Sequence, residues 1–546
     1  MTESVTSDVV GAVEVDALVV GAGFAGIYSI YALRRAGFTV HAVEAGDGVG
    51  GTWYWNRYPG ARCDTPSLEY SFGFSPELDQ EWSWTEYFAG QPEIERYLNH
   101  ITDRFDLRRH IEFGTRVTAA TWDAQAFRWR VVTSTGHAFA ARWVVMATGC
   151  LSAPIEPDLP GLDRFGGTVL RTSNWPADAD IRGLRVAVIG TGSSAVQTVP
   201  ELARDAAHLH VFQRSGAFTW PSNNGPMDPA VLAAAKRDYP YLRRRQRLVN
   251  NGIVGFGGAT MFQAPRPIKI RESTEQDRRA AVEQFGWGAC RAWSDVTTDA
   301  DANEIAVEMY RDMIRATVDD ADTAEKLTPR GYPLGCKRPI LDTGYFETFN
   351  RPNVTIVDLQ RGGIEEITRT GIRTAQGDFE FDVIVLATGF DAMTGALDRI
   401  DIAGRDGRVL RDEWRRAGAR TLLGLLVEGF PNLFMITGPG SPSVVANMAA
   451  GIEQHVDWIT ECARHLRDNG LHAIETTLEA QDDWVDEVNR AASGTMYVAP
   501  SCNSWYVGTN VPGKPRVFLP YVGGFDKYVR RCEEIAQSGY ADCHLS

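Results

Sequence analysis

Val15-Asp16-Ala17-Leu18-Val19-Val20-Gly21-Ala22-Gly23-Phe24-Ala25-Gly26 is the stretch that decides the fold. Its apolar half reads as a buried parallel strand, and its glycine half as the turn that follows one. A helical stretch, Ile27 to Arg35, closes before Gly37, and a second strand, Phe38 to Val43, ends at Glu44. Together these residues make a complete strand–helix–strand dinucleotide fingerprint. Gly21 permits the tight turn, Gly23 lets a pyrophosphate approach the backbone, and Gly26 lets the helix pack on the strand. Glu44 is placed to accept hydrogen bonds from ribose hydroxyls.

The same unit recurs. Leu184 to Ile189 runs into Gly190-Thr191-Gly192-Ser193-Ser194-Ala195, then Val196-Gln197 and a helix; the next strand, Leu209 to Phe212, stops at Gln213-Arg214. An acid at that place repels a 2′-phosphate, whereas a guanidinium pairs with it. Glu44 in one unit and Arg214 in the other point to two different nucleotides, FAD first and NADPH second, with Gly190, Thr191, Gly192, Ser193, Ser194 and Gln197 expected to contact the second. Two further strand-to-turn segments, Val144 to Gly149 and Val383 to Gly389, read as crossing points between the units.

The fold class is therefore α/β, with two Rossmann-like dinucleotide-binding domains. The predicted order is an FAD-binding domain over 1–150, an NADPH-binding domain over 151–215, a helical insertion over 216–335, the rest of the NADPH domain over 336–387, and the rest of the FAD domain over 388–546. The insertion rests on sparse strand signals and on Ile305, Met309 and Met313 at four-residue spacing. Asn251 to Gly258 is glycine-rich but lacks the Lys-Ser/Thr ending of a phosphate loop, so it reads as a connector. Arg243, Arg244, Arg245 and Arg247 read as one solvated helix face.

Several function classes drop out. A formal net charge of -15 is wrong for gripping a phosphate backbone. The opening Met1 to Val5 lacks the basic and apolar regions of a secretory leader, and apolar runs such as Leu422 to Val427 are far below membrane-spanning length. Eight cysteines without a C-x-x-C pair argue against a disulfide scaffold, a structural zinc site and a redox-active dithiol, and fit a cytoplasmic protein. His208 and His210 share one strand face without a third ligand. No metal site is expected, so any oxygen chemistry here needs an organic cofactor.

Gly50-Gly51-Thr52-Trp53-Tyr54-Trp55-Asn56-Arg57-Tyr58-Pro59-Gly60-Ala61-Arg62-Cys63-Asp64 follows the first unit. It closely resembles the flavin-site segment of the Baeyer–Villiger monooxygenases, and the similarity continues through Lys337-Arg338-Pro339, Ala387 to Asp391, Gly438-Pro439-Gly440 and Trp505. The family's linker fingerprint is matched at Phe165, Gly167, Trp175 and Pro176, but Arg171 stands where the family has histidine. Trp175 separates the chain from the N- and S-oxygenating flavin monooxygenases, which remain one alternative; a non-catalytic FAD- and NADPH-binding protein is the other.

The resemblance implies a class B, type I enzyme that uses NADPH and O2 to turn ketones, here hydrophobic cyclic or aryl ketones, into esters or lactones through a C4a-peroxyflavin. It implies Arg338 as the permanently charged catalytic donor and Asp64 as its anionic partner. Thr52, Trp53, Asp64 and Tyr70 are implied to lie along the flavin, with the Val117 backbone near its adenine. Lys337 joins Arg214 on the 2′-phosphate, and Trp505 belongs to a loop that closes over the nicotinamide cofactor. Gly438 to Met448 is expected to line the ketone pocket. The partners implied are a small ketone and O2, with no nucleic acid and no membrane, in a monomer or small homo-oligomer.

Overall fold

The computed structural model describes residues 11–255 and 268–546; Phe256 to Gly258 of the glycine-rich connector lie outside them. The strand Val13–Val20 lies parallel between Val40–Val43 and Ala138–Met146. Around these three an eight-stranded sheet is built. Ile111–Glu112 extends it on one side, Arg128–Thr133, Val117–Asp123 and Asp401–Ala403 on the other, and Leu433–Met435 pairs with Ala138–Met146. Ala17, Leu18 and Val19 are wholly enclosed, as strands covered on both faces must be.

A second sheet has five strands, all parallel, in the order Val354–Asp358, His208–Gln213, Arg185–Ile189, Val383–Leu386, Thr168–Arg171. In each sheet an interior strand ends in a glycine turn that opens a helix: Phe24–Arg35 in the first, Ser193–Asp205 in the second. The mixed α/β architecture with parallel sheets is the one expected.

Between residues 216 and 335 the described residues form four α-helices, Pro229–Gln246, Glu275–Phe285, Ala300–Thr317 and Ala321–Leu327, and one three-residue strand, Thr219–Pro221. Asp299 starts the third helix by accepting a hydrogen bond from the Ala302 N–H at 2.9 Å. Its enclosed face is Ala302, Ala306, Val307, Tyr310 and Ile314, while Ile305, Met309 and Met313 lie half-buried beside that face and pack on the core of the second sheet.

Two expectations are corrected. The arginine run is not one solvated face: Arg243 is largely enclosed and donates to Asp79 at 2.7 Å and to the Ser71 hydroxyl at 2.8 Å, while Arg247 pairs with Asp457 at 2.7 Å. Arg244 and Arg245 are exposed, without such an ion pair among the described residues. A basic run reveals its charge but not the acids that distant parts of the chain bring to it. The second correction concerns cysteine. Cys336 and Cys502 are joined by a disulfide across 166 residues, a pairing that local spacing could not reveal.

No helix among the described residues is long and apolar enough to cross a membrane. Nor do those residues hold a group of three His, Cys, Asp or Glu suited to a metal ion.

Candidate active site

The first glycine turn is shaped to admit a diphosphate. Gly21 has φ +107°, and a Cβ there would stand 2.6 Å from the Ala147 carbonyl oxygen. Gly51 lies directly against Gly23, so side chains at either place would close the approach to the backbone. The helix Phe24–Arg35 begins at Gly23 with no side-chain cap and no acid in its first turn, which leaves its amide dipoles for an anion. Glu44 accepts from the Ala22 N–H at 2.7 Å and from the Gly46 N–H at 2.8 Å, fixing its carboxylate beside the turn. These residues fit FAD.

Thr52 and Trp53 open a one-turn helix after the Gly50-Gly51 bend. The Trp53 indole N–H donates to the Tyr70 hydroxyl at 3.1 Å, and the two rings meet edge to face. Val117 starts the strand Val117–Asp123 of the same sheet and is buried.

The second turn repeats the logic. Gly190 has φ +119°, and a Cβ would stand 2.4 Å from the Ala387 carbonyl oxygen. Gly192 opens the helix Ser193–Asp205, again without a side-chain cap or an acid in the first turn. Thr191 donates to the Ser215 carbonyl at 2.8 Å, holding the turn to the end of the neighbouring strand. Arg214 stands exposed at that strand end. Lys337 lies close enough that its ammonium is depressed below the usual lysine range, first by burial and then by the Arg214 guanidinium. Its Nζ sits 4.2 Å from the Tyr332 ring centroid. Two cations held together without an intervening acid fit a 2′-phosphate.

Arg338 and Asp64 meet as a fork. Nε donates to Oδ2 at 2.6 Å and Nη2 to Oδ1 at 2.8 Å. Burial works to raise the Asp64 carboxyl, but the Arg338 charge outweighs it and holds the group below the usual carboxylate range. Burial works equally against the guanidinium, and Asp64 more than compensates, so Arg338 is protonated at every pH of interest. Arg338 Nη1 also donates to the Val444 carbonyl, which belongs to the loop 438–448.

The structure adds partners that the sequence did not single out. Tyr506 is buried and its hydroxyl interacts with Arg338. It sits beside Trp505 in the turn Trp505–Val507, so the loop motif was the available signal. Gln197 is held by the protein at both ends of its amide: Oε1 accepts from the Tyr58 hydroxyl at 2.8 Å, and Nε2 donates to the Arg62 carbonyl at 3.0 Å. The helix of the second unit thus grips the segment that leads to Asp64. Trp175 is buried against the second core, and Arg171 pairs with Glu156 at 3.2 Å on an exposed edge. Nothing in the structure explains why arginine rather than histidine stands at 171.

Two nucleotide cradles with a fixed cation at the flavin-side segment define a flavoprotein oxidoreductase of the two-dinucleotide kind. The pattern of the family described as pyridine nucleotide-disulphide oxidoreductase matches residues 18–227. The acetone monooxygenase (methyl acetate-forming) of Gordonia sp. (strain TY-5) is 39% identical over 539 residues, 97% of this chain and 99% of that protein. Among solved structures, an oxidized steroid monooxygenase bound to NADP superposes with a TM-score of 0.90 at 47% identity, covering 97% of this chain and 99% of that one. A complex of OTEMO with FAD and NADP superposes at 0.91 with 38% identity, over 97% and 99%. The chain belongs to the Baeyer–Villiger monooxygenases, oxidoreductases that use FAD and NADP(H).

Proposed function

We propose that the chain oxidises hydrophobic cyclic or aryl ketones to esters or lactones with NADPH and O2, and that Arg338 is its catalytic charge. The observation that carries this reading is the Arg338–Asp64 fork, with the same guanidinium hydrogen-bonded to the Val444 carbonyl of the loop 438–448. FAD, when bound, supplies the hydride acceptor and the oxygen-activating group. The protein must then favour an unprotonated, negatively charged oxygen nucleophile and exclude water from it.

Arginine suits the first task because it cannot give up its proton near neutral pH. It stabilises a developing negative charge without quenching it. Asp64 offsets the cost of holding that cation away from water and fixes its plane. We assign residues 1–150 and 388–546 to FAD and 151–215 and 336–387 to NADPH, with 216–335 as the insertion. Gly21, Gly23, Gly26, Glu44, Thr52, Trp53, Asp64, Tyr70 and Val117 are read as FAD contacts. Gly190, Thr191, Gly192, Ser193, Ser194, Arg214, Lys337 and Trp505 are read as NADPH contacts, with Gln197 supporting them through Tyr58. Small and apolar side chains in Gly438 to Met448, such as Val444, Val445 and Ala446, favour a hydrophobic ketone.

The test is product analysis under oxygen-18 gas with NADPH and a panel of cyclic and aryl ketones. One labelled oxygen in an ester or lactone is the expected result. Labelled sulfoxides or N-oxides from matched substrates with no ester, or no NADPH consumption at all, would overturn the reading.

A further inference from the structure

Cys336 and Cys502 are both buried, and their disulfide ties two parts of the site that no backbone segment joins directly. Cys336 immediately precedes Lys337 and Arg338. Cys502 lies three residues before Trp505 and four before Tyr506, whose hydroxyl reaches back to Arg338. The loop has other anchors as well: Arg516 donates from Nη1 to the Cys502 carbonyl and from Nη2 to the Ala499 carbonyl, each at 2.8 Å, and the Leu519 N–H donates to the Tyr506 carbonyl at 2.8 Å. The neighbouring Met496 N–H donates to the Thr297 carbonyl at 2.9 Å, so the approach to the loop also rests on the insertion.

We propose that the Cys336–Cys502 disulfide is a positioning brace that holds the Trp505–Tyr506 loop against the Lys337–Arg338 segment, and that its reduction releases the loop and weakens the grip on the nicotinamide cofactor. The inference rests on the NADPH-side reading given above. Release proceeds by thiol–disulfide exchange with a dithiol: the S–S bond breaks, each cysteine sulfur gains one electron and one proton, and the dithiol closes into its own disulfide. Docking of the loop and formation of the bond are linked, so each favours the other by the same factor. Bound NADP+ therefore protects the bond, and the bond strengthens NADP+ binding. A reducing compartment, where such bonds are cleaved, would hold the loop in its released state.

The remaining six cysteines are free and buried, which makes the first measurement direct. The holoenzyme purified without reductant and denatured should titrate six thiols, and eight after dithiothreitol. The reduced holoenzyme and the C336S/C502S double variant should both bind NADP+ more weakly by calorimetry. The loss is about tenfold if the docked fraction falls to about a tenth. With NADPH and O2 but no ketone, both should also release hydrogen peroxide faster than the oxidised parent. NADP+ should slow reduction of the bond by dithiothreitol. Eight thiols without reductant would overturn the proposal, as would a reduced enzyme that loses thermal stability while its NADP+ affinity and peroxide release stay put. Should the double variant fail to fold, the oxidised and reduced wild-type forms give the same comparison. None of these readouts uses a ketone, so failure to form an ester would sink the activity reading and leave this test intact.

Discussion

Arg338 meets Asp64 edge to edge, Nε on Oδ2 at 2.6 Å and Nη2 on Oδ1 at 2.8 Å, which fixes both the plane and the charge of the guanidinium. A lysine at 338 would keep the charge and lose the fork. Arg338→Ala should lower ester formation by about 10²–10³, the usual cost of one charge-stabilising donor. Arg338→Lys should fall between it and the wild type. Flavin reduction by NADPH, followed by stopped-flow absorbance, should survive in both variants, with hydrogen peroxide replacing the ester. An Arg338→Ala enzyme that still makes ester at the parent rate would remove Arg338 from the chemistry.

The two glycine turns should separate genetically. Gly21→Ala places a Cβ 2.6 Å from the Ala147 oxygen at a positive φ, and Gly190→Ala places one 2.4 Å from the Ala387 oxygen. The first variant should purify without the flavin absorbance band. The second should purify yellow yet not bleach on anaerobic NADPH. If both lose flavin equally, the turns do not serve two separate ligands.

Lys337 and Arg214 make the cofactor preference testable by pH. Arg214→Ala removes a charge-assisted contact of about 1.5–3 kcal/mol, so kcat/KM for NADPH should drop roughly tenfold to a hundredfold while that for NADH holds. In the wild type the affinity for NADPH should weaken as pH rises through the depressed Lys337 value, because the cation is lost there. Removing Arg214 lifts one cause of that depression, so the break should move to higher pH. A break that stays in place would separate the two side chains.

Glu453 is buried and accepts the Gly73 N–H at 2.7 Å. Burial raises its carboxyl to about 7, against the pull of Arg243. Between the unfolded value of 4.5 and that figure the folded chain holds a proton the unfolded chain has lost. Stability therefore falls as pH rises across this window, by on the order of 3 kcal/mol in all. Glu453→Gln keeps an acceptor for Gly73 without the titration. Its Tm should exceed the parent's at pH 8 and match it near pH 4. Equal Tm differences at both pH values would show that Glu453 ionises freely in the fold.

The strand, turn and helix at residues 15–35 were legible because their constraints are local. A positive φ at Gly21 and a missing side chain at Gly26 are demands the sequence answers within six residues. The pairing of Arg338 with Asp64 spans 274 residues, and spacing or periodicity cannot express it; only the resemblance of two motifs joined them beforehand. Arg243 was misread for the same reason, since its acid lies 164 residues away. Gln197 looked like a cofactor contact from its place in the glycine motif, while its amide turned out to be engaged by Tyr58 and Arg62. Cys336 and Cys502 escaped notice because each sits alone in its neighbourhood.

That cross-link also gives the chain a closed ring of its own, running from residue 336 to residue 502. A protease nick inside the ring leaves both fragments tethered, so a gel run without reductant would still show a full-length band. A nick in the helices before the ring, such as Pro229–Gln246 or Glu275–Phe285, lets the fragments migrate apart. Paired gels from a brief digestion would sort cut sites into those between Cys336 and Cys502 and those outside that span before any fragment is sequenced.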